Sequence, residues 1–263
     1  PGRAGECAHV VTVCVDDDQQ GRQCARVAHR HLDSRGVAAA QRRAVLIRER
    51  ATYSERIAAG FEAEFRSLGG VVVNHGVLPD RSVADWLQTV EASQATVVFM
   101  PINWASARPV LQKVHETGGW SDVLVVGIDA WDDPSLYAQP MPDFLAGRHS
   151  IMFATHLFPG EDRPAVREFL ETYRKHFLGE SPLPSDRLGL AYDSAKLVAD
   201  AVWRGIELDD PKPSAAHVGK RMRLTSGLEG TTGTLSVSES GRIDKQMRIV
   251  LASSAGLRLG PGE

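Results

Sequence analysis

The chain has 263 residues, enough for one large domain or two small ones with a substantial core. Its 43% hydrophobic and 24% charged content is that of a globular protein and excludes a disordered chain. A net charge of −3 without a long basic run argues against nucleic acid as a partner. No apolar run is long enough to span a bilayer. The chain opens on Pro1 with no initiator Met and no visible signal peptide, and so reads as processed, excised or cut from a longer one. Cys7, Cys14 and Cys24 fit neither a zinc spacing nor a disulfide framework.

Residues 10–15 are apolar enough for a strand. Asp16, Asp17 and Asp18 then supply N-cap candidates and negative charge for a helix over 19–34, with Cys24, Val27, Ala28 and His31 at helical spacing and Gly36 as its stop. Strand-helix units follow. A strand at Ala44–Ile47 leads to a helix over Ser54–Leu68, with Ile57, Ala58, Phe61 and Phe65 on one stripe and Gly69-Gly70 as its close. A strand at Val71–Val73 leads to a helix capped by Ser82 or Asp80 and carrying Val83, Trp86, Leu87 and Val90. A strand at Thr96–Met100 leads to a helix ending at Gly118-Gly119. A strand at Val123–Ile128 leads to a short helix with Asp133 as cap and Pro134 in its first turn.

After Asp143 the rhythm changes. Ile151–Leu157 reads as a strand that leaves the sheet. An amphipathic helix is expected over Pro164–Phe177, a long one from Asp186, and a third over Ser214–Leu224. The end is β-like: Thr231–Val237, a turn at Glu239-Ser240-Gly241, then Met247–Ala252. Helices without matching strands imply a second lobe whose sheet this chain under-supplies.

The strands of the first half are continuous apolar runs, which means helices cover both faces of a parallel sheet. Right-handed crossovers then bring the strand-to-helix loops to one rim, at the carboxyl ends of the strands, where ligands bind. Three tips meet there: Tyr53 with Ser54, Asn103 with Trp104, and Asp129. An amide, two aromatic rings, a hydroxyl and a carboxylate suit a small, polar, amine-bearing molecule.

The order of these motifs resembles the type I periplasmic-binding fold, in particular the leucine/isoleucine/valine-binding (branched-chain amino-acid) substrate-binding proteins of ABC transporters. The residues that carry the resemblance are Asp17 to Gly21, Ala44–Ile47, Tyr53-Ser54, Ile57-Ala58, Phe61 and Leu68 to Gly70. In the second half they are Phe169, Tyr173, Ala191 to Ser194, Ala201, Gly230 to Thr234 and Glu239 to Gly241. The resemblance implies an α/β protein with a parallel sheet sandwiched by helices and a second, incomplete lobe. It places ligand-binding lobe two at residues 16–148. A return segment at 149–263 contributes helices to lobe one and the C-terminal strands. The family's opening βα units, which build most of lobe one, are not matched.

By the same resemblance, Tyr53 lies where the family puts an aromatic residue over the ligand, and Asp129 where it puts the acidic partner of an α-ammonium. Asn103 and Trp104 match an aromatic pair in amino-acid binders. Each has a plainer reading: Tyr53 packing on its own helix start, Asn103 capping the helix from Trp104, Asp129 capping a loop. Ser150 and His149 lie near the return crossover, in the hinge or in an ordinary loop.

The chain is expected to be no enzyme and to need no cofactor and no metal. His75, His115, His156 and His176 have no metal-ligand spacing. Ser54, Ser106 and Ser194 lack a nucleophile elbow and a triad order. No P-loop or dinucleotide fingerprint occurs, and Gly230–Gly233 reads as a strand-entry turn. The resemblance implies an extracytoplasmic solute-binding protein that closes on an amino acid or amide and works with an ABC transporter permease. Two alternatives stand beside it: a ligand-sensing or degenerate regulatory domain fused to a signalling protein, which would be cytoplasmic, and an α/β hydrolase using Asp129 and a histidine.

Overall fold

Asp16 accepts the amide of Gln19 at 2.9 Å and opens the first helix, α1 (Asp17–Ser34), with Asp17 and Asp18 in its first turn opposing the helix dipole. Gly36, at φ +71°, ends it as expected. The computed structural model describes residues 10–133, 136, 150–177, 183–207, 212–253 and 256–260. Cys7, Pro134 and His149 lie outside them. The chain divides into two units, Asp16–Thr155 with Met247–Glu263, and Pro1–Val15 with His156–Gln246.

The first unit is built on a seven-stranded sheet of β1 (Arg43–Arg48), β2 (Val71–Val77), β3 (Val97–Phe99), β4 (Leu124–Gly127), β5 (Ser150–Thr155), β8 (Arg248–Ser253) and β9 (Gly256–Leu259). Their spatial order is β2-β1-β3-β4-β5-β8-β9. The first five in spatial order are parallel, and β8 and β9 run antiparallel. Helices α2 (Thr52–Ser67), α3 (Val83–Ala92) and α4 (Trp104–Thr117) fill the crossovers. Burial explains the parallel core: Ala44 to Ile47, Val97 to Phe99 and Leu124 to Val126 are almost completely buried, as strands covered on both faces must be.

One expectation is corrected in this unit. The strand near residue 151 does not leave the sheet: β5 pairs in parallel with β4, from Leu124 opposite Ser150 to Gly127 opposite Phe153. Its residues Ile151 to Ala154 are buried, and only a place inside the sheet covers them. Strand β9 was not foreseen; it is short, carries Arg258 and is only half buried, so no apolar pattern announces it. Elsewhere the capping residues behave as read. Ser82, not Asp80, caps α3 and forms a capping box with Asp85. Gly118 closes α4 at φ +66°.

Helices α1 and α2 cross in backbone contact. A Cβ on Gly21 would lie 2.1 Å from the Ile57 carbonyl oxygen, and one on Gly60 would lie 2.3 Å from that of Asp18. Phe61 stacks on Phe99 of β3 with ring centroids 4.1 Å apart, tying α2 to the sheet. Glu64 on α2 also receives Arg26 at 2.7 Å and Arg22 at 3.4 Å from α1. These guanidiniums hold the Glu64 carboxyl below the usual carboxylate range. Its contribution is therefore complete above the unfolded carboxylate value and is lost as pH falls toward the folded one. Glu64→Gln should lower the melting temperature near neutrality and change it little in acid, so that the acid limb of the stability profile flattens; an unchanged acid limb would contradict it.

The second unit holds α5 (Pro164–His176), α6 (Asp186–Glu207), α7 (Ala215–Arg223) and a hairpin of β6 (Leu228–Gly230) and β7 (Gly233–Leu235). The strand expected over Thr231–Val237 is thus a turn followed by a shorter strand. Its reason is the buried carboxylate of Asp193 on α6, which accepts the amides of Thr231 at 2.6 Å and Thr232 at 2.8 Å and the Thr232 hydroxyl at 2.6 Å. Arg163 donates to the carbonyls of Gly230 and Thr231 at 3.0 and 2.6 Å. Gly230 is required there, since a Cβ would stand 2.7 Å from the Asp193 carboxylate. This unit exposes Phe177, Leu188, Val198, Trp203, Ile206 and Leu224. No described helix of either unit is long and apolar enough to cross a membrane.

Candidate functional site

Strand order places the site before any side chain does. In the order β2-β1-β3-β4-β5, the chain leaves β1 toward one side and β3 toward the other. The loops after these two strands diverge and leave a crevice at their carboxyl ends. Residue 49 follows β1 and residue 103 precedes α4, just beyond β3, so both line it.

Glu49 organises this edge. Its carboxylate accepts the backbone amide of Asn103 at 2.9 Å and the Asn103 side-chain amide at 3.0 and 3.3 Å. The hydroxyl of Tyr53, in the first turn of α2, donates to the same carboxylate. Burial and the adjoining Glu49 push the Tyr53 phenol well above its usual value; the Asn103 hydrogen bond opposes this and the Asp129 charge adds to it. Asn103 is also the N-cap of α4, its side-chain oxygen accepting the Ser106 amide at 3.0 Å. The capping and rim readings of Asn103 therefore hold together.

Ser54 lies under the rim. It is fully buried, donates to the Pro101 carbonyl at 2.5 Å and accepts the Glu49 amide at 3.1 Å, so it ties the exit of β1 to that of β3. Trp104 is also buried and packs at 5.6 Å and 57° against Trp131. Trp131 in turn donates its indole N–H to the Ile102 carbonyl at 2.9 Å. It lies across Gly127, where a Cβ would come within 2.2 Å of its ring. The glycine that ends β4 thus makes room for the indole beneath the rim.

Asp129 opens a 3-10 turn, Asp129–Trp131, directly after β4, and is half-buried. Burial is the main cause that raises the Tyr53 phenol, the Cys24 thiol and the Asp17 carboxyl at the start of α1, and the Asp129 charge adds to each, so all of these share its neighbourhood. Burial is the largest cause of the raised Asp17 carboxyl; Arg56 opposes it, and Asp129 and Asp16 reinforce it. Asp16 and Asp129 therefore lie within electrostatic reach of Asp17, with Arg56 3.7 Å from Asp17.

The structure thus brings Tyr53 and Asn103 together through Glu49, sets Asp129 within electrostatic reach of Tyr53, and places Ser54 and Trp104 underneath. Sequence reading passed over Glu49. The signal available was a charged residue directly behind a four-residue buried run, four positions before a tyrosine that starts a helix.

Sheet order, crevice and covered parallel strands define a two-unit α/β binding-protein fold of the type I periplasmic class. Residues 4–256 match the family model described as periplasmic binding protein, and the chain belongs to that family. Among solved structures it is similar to the leucine-binding protein LivK of Thermotoga maritima, with 20% identity and a TM-score of 0.77 over 98% of this chain and 68% of that one. An ABC transporter substrate-binding protein of Desulfitobacterium hafniense, solved in complex with Leu, matches with 17% identity and a TM-score of 0.69 over 93% of this chain and 65% of that one. A solute-binding protein of R. palustris, solved in complex with benzoate, matches with 15% identity and a TM-score of 0.70 over 92% and 62%. The chain spans about two thirds of the length of these proteins. No curated protein matches it.

Proposed function

We propose that this chain is an extracytoplasmic solute-binding protein or domain that takes an amino acid or a related amine-bearing molecule for an ABC transporter. Residues 16–148 form the ligand-binding lobe two and 149–263 the return segment. Asp129 pairs with the ligand's ammonium, the Tyr53 ring covers an apolar or cationic part of it, Asn103 borders it, and Trp104 and Ser54 hold the floor. The carrying observation is the half-buried Asp129 beside Tyr53 on an edge rich in carboxylates. An ammonium leaving water needs such a partner, or desolvation opposes binding.

The family is one of solute-binding proteins and not of enzymes. The Ser54 hydroxyl under the rim is engaged as a structural donor to the Pro101 carbonyl. Relatives solved with aromatic acids, such as benzoate, support a second reading with an anionic ring as ligand. The clustered carboxylates disfavour it.

Calorimetry with a panel of amino acids, amides and aromatic acids tests the proposal. An amine-bearing ligand should bind, and Asp129→Ala should weaken it by roughly 30- to 1000-fold, the cost of stranding a desolvated charge. Binding that survives Asp129→Ala unchanged removes that residue from the site, and a panel without any response counts against the solute-binding reading.

A further inference from the structure

Glu49 has no counterpart among the residues that the family resemblance marks, yet its carboxylate gathers several donors on the rim. Its two oxygens take the Tyr53 hydroxyl, the Asn103 backbone amide and the Asn103 side-chain amide. A carboxylate offers about four lone-pair sites, so these donors use most of its capacity. They come from three places: the β1 exit carries Glu49, the first turn of α2 carries Tyr53, and the α4 N-cap is Asn103. The carboxylate thus bridges the two loops that diverge at the crevice.

This arrangement decides what those side chains can show a ligand. The Tyr53 hydroxyl proton points to Glu49, and its oxygen receives the Asn103 hydrogen bond. The Asn103 amide N–H is spent on Glu49 and its oxygen on Ser106. With those donors engaged, what Tyr53 still offers is its ring, beside the charges of Glu49 and Asp129. A ring face and a carboxylate attract an ammonium and repel a free carboxylate.

We propose that Glu49 is a positioning and specificity-determining residue: by turning the donors of Tyr53 and Asn103 inward, it sets this rim to accept an ammonium-bearing solute and to reject an aromatic carboxylate. The proposal rests on the reading of the rim as the ligand edge, and Glu49 acts through Tyr53 and Asn103 without touching the ligand.

The test uses Glu49→Gln, which keeps the shape, removes the charge and replaces one acceptor oxygen by a donor. On the full chain, calorimetry with L-leucine and with benzoate gives the ratio of the two dissociation constants. Glu49→Gln should weaken L-leucine by roughly tenfold and shift the ratio toward benzoate, in line with the loss of a charged hydrogen-bond acceptor. If Asp129→Ala loses L-leucine while Glu49→Gln leaves both constants unchanged, the specificity role is overturned and the site reading stands. If the unaltered chain binds neither these probes nor any other member of the amino-acid, amide and aromatic-acid panel, the site reading falls and takes the specificity role with it.

A spectroscopic measurement reads the hold on Tyr53 without any ligand. Tyrosinate absorbance at alkaline pH, up to about pH 11, should be larger in Glu49→Gln than in the unaltered chain, because Tyr53 then ionises nearer its ordinary value. The increase should vanish in Glu49→Gln combined with Tyr53→Phe. Equal titrations of Glu49→Gln and the unaltered chain, the result that a merely structural Glu49 would give, would overturn its hold on the phenol.

Discussion

Gly21→Leu is expected to destabilise the first unit by about 3 kcal/mol or more, the upper range for overpacking a tight contact. Even the first added carbon would sit 2.1 Å from the Ile57 carbonyl oxygen and 2.6 Å from the Phe61 nitrogen. Both are backbone atoms inside a helix and have no rotamer through which to yield. The two helices must separate, and the contacts made by the buried Cys24, Val27, Ala28, Ile57 and Phe61 go with them. Gly60→Ala meets the same obstacle from the other side, at 2.3 Å from the Asp18 carbonyl oxygen. Ala59→Leu, on the exposed face of α2, is the control and should stay within about 0.5 kcal/mol. Urea denaturation followed by circular dichroism measures all three. Gly21→Leu melting with the unaltered chain would refute the backbone contact.

The second large effect belongs to Asp193→Ala, expected to cost about 3–5 kcal/mol in the second unit. Its carboxylate is fully buried and serves three donors of the β6–β7 turn. Removing it strips the Thr231 and Thr232 amides of their acceptor in a place that water does not reach freely. The hairpin then loses its anchor to α6, while Arg163 still holds the turn carbonyls from the other side. Asp193→Asn keeps one acceptor oxygen and should recover a substantial part of the loss. Hydrogen exchange at the Thr231 and Thr232 amides locates the damage: it should rise strongly in Asp193→Ala, and unchanged protection there would place the anchor elsewhere.

These two cases differ in how far they could be read in advance. The apolar stripes of α1 and α2 were plain, and so were their caps and glycine stops. That they touch through Gly21 and Gly60 was not, because a glycine in a helix looks like a mere weakness until its partner helix is placed. Gly230 and Gly233 read as a turn from composition alone, but the residue that holds the turn sits some forty positions away, on a helix with no local tie to it.

The site shows the same division. Tyr53, Asn103 and Asp129 stood out because each follows a buried strand, and a parallel sheet puts such positions on one edge. Glu49 did not stand out, although it joins two of them. A carboxylate behind a strand reads as a solvated charge unless its donors are seen, and those of Asn103 come from 54 residues further on.

By itself, then, the order of the amino acids determined what local forces decide: helices from apolar spacing and caps, parallel strands from unbroken buried runs, and the rim from the handedness of their connections. Only the tertiary structure decided what depends on distant groups meeting. It returned β5 to the sheet, since burial of Ile151 to Ala154 needs β4 and β8 on either side. It also sent Ser54 and Trp104 beneath the rim and gave Glu49 its three donors. Hydrogen bonds and close packing are short-ranged in space and indifferent to separation along the chain, so no local pattern records them.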